Sequence, residues 1–347
     1  MSITPKAVVL ISGGLDSMLA AKVVLDQGVH VEGINFFTGF CVEGHTHAIR
    51  NQDHKKPKRN NALWVAEQLG IKLHIVDVIE QYKDVVINPK HGYGANLNPC
   101  LDCKSFMVRK AKEWIEAHGF DFIVTGEVIG QRPMSQRRDT MPVIAQESGA
   151  DDRLLRPLCA KLLPETLPER EGWVNRDALY DFNGRSRKPQ IALAEQFGIE
   201  DYAQPAGGCC FLTDEKYSDK LRDLWVSQGE KRYEIDDIML LKVGRHLRPR
   251  PHFKLIIGRD DGENNYLKGY RHRFTYMYGT SHNGPLVLVE GQTNDSDLEL
   301  AARITARFGQ GRDADNVRIE VVEQTGDPRN FKVVPLTRNE MQEAWYI

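Results

Sequence analysis

A doubly wound, mostly parallel α/β sheet followed by a smaller α+β domain is the fold the sequence predicts, and three observations predict it. Strand-like and helix-like runs alternate through the first two hundred residues. A strand–glycine–helix joint, "LISGGLDSMLA", opens that alternation. Near residue 230 the texture changes to short strands that outnumber helices. With 347 residues, 41% of them apolar, the chain can bury two cores, and the expected domains are 1–218 and 230–347.

The elements follow in order. Strand 6–11 holds "AVVLI", a β-branched run of the kind buried on both faces of a parallel sheet. A helix over 16–27 comes next, with Leu19, Val23 and Val24 facing the sheet and Gly28 as its stop. Strands over 31–36, 72–78 and 121–125, with helices over 60–69, 103–117 and 189–197, complete the unit. Between Ile34 and Asn60 lies "FFTGFCVEGHTHAIRNQDHKKPKRN", polar and without period, which reads as a long loop over the site. A second loose stretch, "LCAKLLPETLPEREGWVNRDALYDFNGRSRKP", precedes the last helix. Beyond residue 230 follow "DIMLLKVGRHLRPRPHFKLIIGRDDGENNYLKGY", "GPLVLVEG", "DLELAARITARFG" and "VRIEVVE", in which short strands outnumber helices.

The Gly13–Gly14 turn removes the side chains that would block a ligand, and Ser12, Ser17 and the free amides of the helix start can hold a phosphate. No lysine follows the glycines, so this is not a Walker loop, and G-x-G-x-x-G is absent. An aspartate stands there instead. A carboxylate among phosphate donors requires a divalent cation between the two, so Asp16 reads as a Mg²⁺ anchor, direct or through water. Thr125 and Gly126 end a parallel strand, where such sheets hold their ligands.

Cys100 and Cys103 form a C-x-x-C just before a helix, with Pro99 setting the turn. Alone, that spacing fits a redox pair or half of a metal site. Cys209 and Cys210 follow in "QPAGGCCFLTD". Three thiolates on a cubane cluster leave one iron open, whereas structural zinc closes with four ligands. The expectation is a [4Fe–4S] cluster on Cys100, Cys103 and Cys209 or Cys210. Cys41 reads as a loop thiol and Cys159 as a core residue.

The string S-G-G-L-D-S is the motif of the PP-loop ATP pyrophosphatases, which cleave ATP between its α and β phosphates to adenylate a substrate, and this chain resembles them. "NPCLDCK" is similar to a segment of the tRNA 2-thiouridine synthases, and "VTGEVIGQRPMSQ…LLRPL" resembles one of the tRNA 4-thiouridine synthases. The resemblance spans about residues 5–215. It implies an ATP-dependent tRNA uridine sulfurtransferase: Ser12, Gly13, Gly14 and Ser17 hold the phosphates and Asp16 the Mg²⁺. Gln131, Ser135 and Gln136 then line the site. Lys104 is either a leaving-group cation or a helix-surface lysine. Sulfur arrives on the open iron or as a persulfide, from sulfide or a cysteine desulfurase-type protein.

A formal charge of −2 gives no global field for nucleic acid, so RNA contact must rest on local patches. Arg245, Arg248, Arg250, Lys254 and Arg259 form one, free of carboxylates until Asp260, and strand alternation can align several for phosphate contact. This segment, with "GPLVLVEG", resembles the RNA-binding domain of the NFACT proteins. Arg132, Arg137, Arg138 and "HKKPKR" extend the path toward the glycine turn. "MSITPKAVVL" has no secretory apolar core, and no run reaches the ~18 residues of a membrane span, so a cytoplasmic protein with no membrane partner is expected. Two alternatives stay open: an amide- or nitrile-forming PP-loop ligase with structural zinc, and an RNA-binding module with a degenerate nucleotide site.

Overall fold

In the computed structural model β1 (Lys6–Leu10) is buried along Ala7, Val8 and Val9 and pairs in parallel on both sides, as its apolar run requires. The structure describes residues 4–42, 60–203 and 210–347. Residues 4–42, 60–203 and 210–213 form one compact unit and 214–347 a second.

In the first unit β1 is followed by α1 (Leu15–Leu25), β2 (His30–Phe37), α2 (Asn61–Leu69), β3 (Leu73–Asp77) and α3 (Ile79–Ile87). Then come α4 (Cys100–His118), β4 (Phe122–Val124), α5 (Thr140–Ser148), β5 (Leu154–Leu155), the single turn α6 (Leu167–Arg170) and α7 (Lys188–Gln196). The five strands are all parallel, in the order β3-β2-β1-β4-β5. This is the doubly wound sheet expected, and its order reverses between β1 and β4. A ligand crevice opens outside the carboxyl ends of two strands that meet at such a switch point. The core beneath it is Val9, Leu19, Val23, Val24, Phe122 and Val124, each at most 3% exposed. Every such side chain contributes on the order of 1.5–3 kcal/mol by leaving water.

Four helices of this unit differ from expectation: α3, α5 and α6 fall outside the expected set, and α4 starts earlier. The C-x-x-C does not precede α4; it forms the first turn. Pro99 occupies the N-cap position, Cys103 N–H bonds back to Pro99 O (2.8 Å), and the Asp102 carboxylate accepts the Lys90 and His91 amides (3.0 and 3.1 Å). A proline is already set for the helix start, so the helix begins three residues sooner. In α5 the Pro142 of "TMPVIAQES" hides the helical pattern, yet it falls in the first turn, where no amide is missed.

The second unit contains α8 (Glu215–Gln228), α9 (Ile235–Leu240), β6 (Arg245–Arg250), β7 (Phe253–Ile257), α10 (Asp261–Lys268), β8 (Thr275–Gly279) and β9 (Val287–Gly291). It ends with α11 (Asp295–Arg307), β10 (Val317–Val322) and β11 (Arg329–Val333). Its six strands are antiparallel, in the order β11-β10-β8-β9-β7-β6. Strand β7, "FKLII", is buried along its whole length because the sheet is covered on both faces. Leu255 and Ile257 meet Leu298, Ala301 and Ala302 of α11, while Ile256 meets Leu240, Val243 and Leu267 on the other side. Among the described residues no helix is long and apolar enough to cross a membrane.

Candidate active site

The glycine turn sits at the switch point. Gly13 has φ +80°, which a side chain would disfavour, and Gly14 is the N-cap of α1. Ser17 is buried; its hydroxyl donates to Gly14 O (2.8 Å) and accepts the Ser12 amide (3.3 Å), which shapes the turn. Ser12 stays exposed, with its Oγ 3.4 Å from Gly14 N. The first amides of α1 have no intrahelical acceptor and face the crevice with the positive end of the helix dipole. Gly14 also makes an isolated parallel bridge to Ala203.

Gly126, just past β4, lies against the start of α1. A Cβ there would fall 2.4 Å from both the carbonyl carbon and oxygen of Asp16 and 2.6 Å from Ser17 N, all of them backbone. The spacing of the turn from β4 is therefore set by a residue with no side chain.

Asp16 faces this crevice half-buried. One oxygen, Oδ2, accepts from Gln131 Nε2 (2.7 Å), and Gln131 is itself held by Gln190 Nε2 (3.3 Å). The other, Oδ1, is buried without a hydrogen-bond partner among the described residues. Burial raises the Asp16 pKa above the usual carboxylate range, against the opposing pull of Gln131 and of the positive Arg187 and Arg132. A buried carboxylate oxygen with nothing to bond is a donor suited to a hard cation, so the residues present fit Mg²⁺.

The segment from Thr125 to Gln136 runs behind the turn and joins two chemistries. Gln131 reaches Asp16, and four residues on the Ser135 hydroxyl accepts from the Cys100 thiol (3.3 Å). Ser135 and Gln136 are buried, and Gln136 Oε1 has no partner. Thr125, 2% exposed, has its hydroxyl donating to Glu127 Oε2 (3.0 Å). Glu127 pairs with Arg156 (3.0 Å), and both are buried. Burial pushes the Glu127 pKa up, but Arg156 and then Lys104 outweigh it and hold the carboxyl below its ordinary range. Lys104 is thus half-buried with its charge directed at Glu127, not on an outer helix surface. Sequence reading missed Glu127 and Arg156; a glutamate inside an otherwise apolar strand end was the available signal.

The thiols divide. Cys159 is buried against Glu127 O (3.2 Å), and burial pushes its pKa to about 12, the inert core residue expected. Cys100 turns to Ser135, while Cys103 bonds the fully buried Tyr82 hydroxyl. The Tyr82 pKa is driven well up by burial first, then by Cys103, Cys210 and Cys41, so three thiols surround one phenol. Cys41 is therefore no isolated loop thiol: it makes an antiparallel bridge to Cys210. Among the described residues no three histidine, cysteine or carboxylate side chains are grouped to hold a metal ion, and Cys209, one of the expected cluster ligands, is not among those residues. Cys100 and Cys103 serve separate partners, and Cys209 lies outside the described residues.

In the second unit most of the basic strip is already paired. Arg248 clasps Asp223 (2.5 and 2.8 Å), Arg250 bonds Asp297 (2.6 Å), and Arg259 pairs with Glu263. Lys254, 1% exposed, is enclosed by Glu290 (3.1 Å) and Asp223 (3.5 Å), so it cannot present its charge to a phosphate. Glu263 lies only four residues past Arg259, but Asp223, Asp297 and Glu290 come from α8, α11 and β9, distant in sequence, which is why most of the strip read as unopposed. Only Arg245 of the five has no carboxylate partner among the described residues; it lies over the Phe308 ring, 5.4 Å from its centre. Arg245 and Arg259 open onto a groove of about 1340 Å³ that Arg307, Arg312 and Arg338 also line, beside Phe308 and Tyr346. Asp260, Asp261 and Glu343 share its walls. The segment "HKKPKR" lies outside the described residues.

Comparison with known proteins matches each unit separately. The tRNA methyl transferase HUP domain family matches residues 5–149, and the NFACT protein RNA binding domain matches 244–346. Neither match spans half of the chain. The stretch similar to the HUP family holds the glycine turn, Asp16, Gln131 and Cys100, and the stretch similar to the NFACT family holds the arginine groove. The tRNA-specific 2-thiouridylase MnmA of Treponema denticola is 26% identical over 70% of this chain and 63% of its own length. That of Pseudomonas putida is 26% identical over 70% of this chain and 60% of its own. The chain thus spans about three fifths of these curated relatives. A 4-thiouridine synthetase solved with RNA and ATP is 20% identical, covering 56% of this chain and 52% of that one, at a TM-score of 0.34.

Proposed function

We propose that the chain is an ATP-dependent tRNA uridine sulfurtransferase, with adenylation and sulfur transfer in the first unit and RNA docking in the second. The observation that carries this is the single segment whose Gln131 holds the phosphate-turn carboxylate and whose Ser135 holds the Cys100 thiol. An adenylating site and a sulfur site four residues apart on one strut serve one substrate atom in two steps.

ATP is read as lying with its phosphates on Ser12, Gly13, Gly14 and Ser17 and the α1 amides. A uracil carbonyl oxygen attacks the α-phosphorus and pyrophosphate leaves, so that oxygen becomes part of a phosphate ester able to depart as AMP. Asp16 would hold Mg²⁺, which would neutralise charge on the leaving pyrophosphate. A sulfur nucleophile then attacks the activated carbon and displaces AMP. Among the described thiols, Cys100, bonded to Ser135, and Cys103 and Cys210, near Tyr82, are the carriers we assign. An iron–sulfur cluster finds no grouped ligands among the described residues, and no step is routed through one. Sulfide displaces AMP directly, with no carrier; a persulfide-donating protein instead passes its outer sulfur to one of these thiols by exchange, that persulfide displaces AMP, and a second of the thiols then cleaves the S–S bond to release the thiouridine, leaving a disulfide that an external dithiol reduces.

The test combines two readouts. Purified protein with ATP, Mg²⁺, sulfide and unmodified tRNA should release pyrophosphate and yield a thiouridine visible in nucleoside mass spectrometry. Pyrophosphate release driven by a small carboxylic acid and ammonia, without any thionucleoside, would replace this reading with the ligase.

The groove supports the docking half. Changing Arg245 and Arg338 together to alanine should weaken tRNA binding about tenfold and lower the slope of log affinity against log salt by about one per arginine. Arg248→Ala, which removes a partner of Asp223, should leave that slope unchanged. The reverse pattern would return the binding face to β6.

A further inference from the structure

Cys41 and Cys210 meet in a geometry that no part of the sulfur-transfer reading requires. They form an isolated antiparallel bridge, and the neighbouring Phe211 amide donates to Phe40 O (2.9 Å). That hydrogen bond flanks the pair and does not join it, so Cys41 and Cys210 occupy a non-hydrogen-bonded position. Directly opposed residues of this type have Cα atoms about 4.5 Å apart and side chains on the same face. Disulfides span Cα separations of about 4.4–6.8 Å. Both residues are partly exposed, and both thiols lie near the Tyr82 hydroxyl. None of the five described cysteines is in a disulfide.

We infer that Cys41 and Cys210 form a reversible cross-strand disulfide under oxidation, and that this bond withdraws Cys210 from sulfur chemistry. The oxidant is a peroxide. One thiolate displaces hydroxide from hydrogen peroxide to give a sulfenic acid, and the second thiol attacks that sulfur and expels water. Two thiols lose two electrons and two protons, and one peroxide becomes two waters. A dithiol reductant restores both thiols. The bond itself is independent of the proposed activity; only its effect on thiolation rests on that reading.

Cys103 also borders Tyr82, and Cys209 is next to Cys210 in sequence, so either is a rival partner. The full-length chain is treated with hydrogen peroxide, alkylated, digested without reduction and mapped by mass spectrometry. A Cys209→Ser variant is run in parallel, so that the linked peptide has one candidate thiol. The expected product joins the Cys41 and Cys210 peptides, is lighter by two hydrogens and separates with dithiothreitol. Thiolation by oxidised protein should fall at least tenfold and recover on reduction. Cys41→Ser should keep the reduced-state rate and lose the peroxide sensitivity. A Cys103–Cys210 or Cys209–Cys210 link, or Cys41 fully alkylated after oxidation, overturns the inference. If the Cys41–Cys210 link forms but no condition yields thiouridine, the disulfide stands and the sulfurtransferase reading fails.

Discussion

Asp16→Asn is expected to lower ATP-dependent pyrophosphate release at least about 100-fold, the order found when one contact to developing phosphate charge is removed. The same change should leave the melting temperature equal to or above that of the parent. The reason lies in its position: burial raises the Asp16 pKa, and Oδ1 has no partner among the described residues, so the ionised side chain is held where the fold disfavours it. A carboxylate whose folded pKa is raised favours folding at low pH, and that contribution is lost as pH rises through the raised value. At neutral pH asparagine keeps an acceptor for Gln131 and removes the penalty. Thermal unfolding followed across the acid range measures this, and the parent's disadvantage should grow as pH rises from the ordinary carboxylate pKa through the raised value and then level off. A variant that turns over ATP normally would remove Asp16 from the mechanism; one that melts well below the parent would show a structural role.

Arg156→Leu should have the largest effect on stability, about 3–5 kcal/mol, because it leaves the Glu127 carboxylate buried without its main counter-charge. At roughly 2–4 °C per kcal/mol for a domain of this size, the loss is visible in any melting curve. The double change Glu127→Gln with Arg156→Leu should recover much of it. The pH dependence has a definite sign. Glu127 is held below its ordinary range, so the pair's contribution is present above the ordinary glutamate pKa and disappears as pH falls through the depressed value. Arg156→Leu should lose that acid-side slope. A double variant as unstable as the single one would mean that packing of the arginine stem, not charge, holds this corner.

The parallel unit was legible because its strands are apolar runs and its first joint carries two glycines, signals local to a few residues. The glycine turn was read on the same ground, and Gln131 donates a hydrogen bond to Asp16 beside it. What stayed hidden depends on partners far apart in the chain. Lys254 looks like a basic strand residue until Asp223 and Glu290 arrive from other elements. Thr125 ends the right strand but faces Glu127, since side-chain direction at a strand end depends on register with β5. Cys41 and Cys210 are 169 positions apart, as 210 minus 41 gives, and no spacing rule relates them. Glu127 was legible as an oddity within "FIVTGEVIG", although its arginine was not.

The Gly14–Ala203 bridge bears on the timing of the reaction. Ala203 is fastened to the phosphate turn, and Cys210, the thiol opposite Cys41, follows seven peptide steps later. That length of chain spans at most roughly 25 Å, so the thiol we assign as a sulfur carrier stays within that reach of the turn we assign to the nucleotide. Under the proposed reaction, filling the turn with triphosphate and emptying it of AMP act at one end of this connection, while its Cys210 end is held by the bridge to Cys41. Nucleotide first and sulfur second is then the order in which the turn end is fixed before the thiol acts. Initial-rate kinetics should accordingly show ATP as the leading substrate, with AMP competing against ATP and not against the sulfur donor.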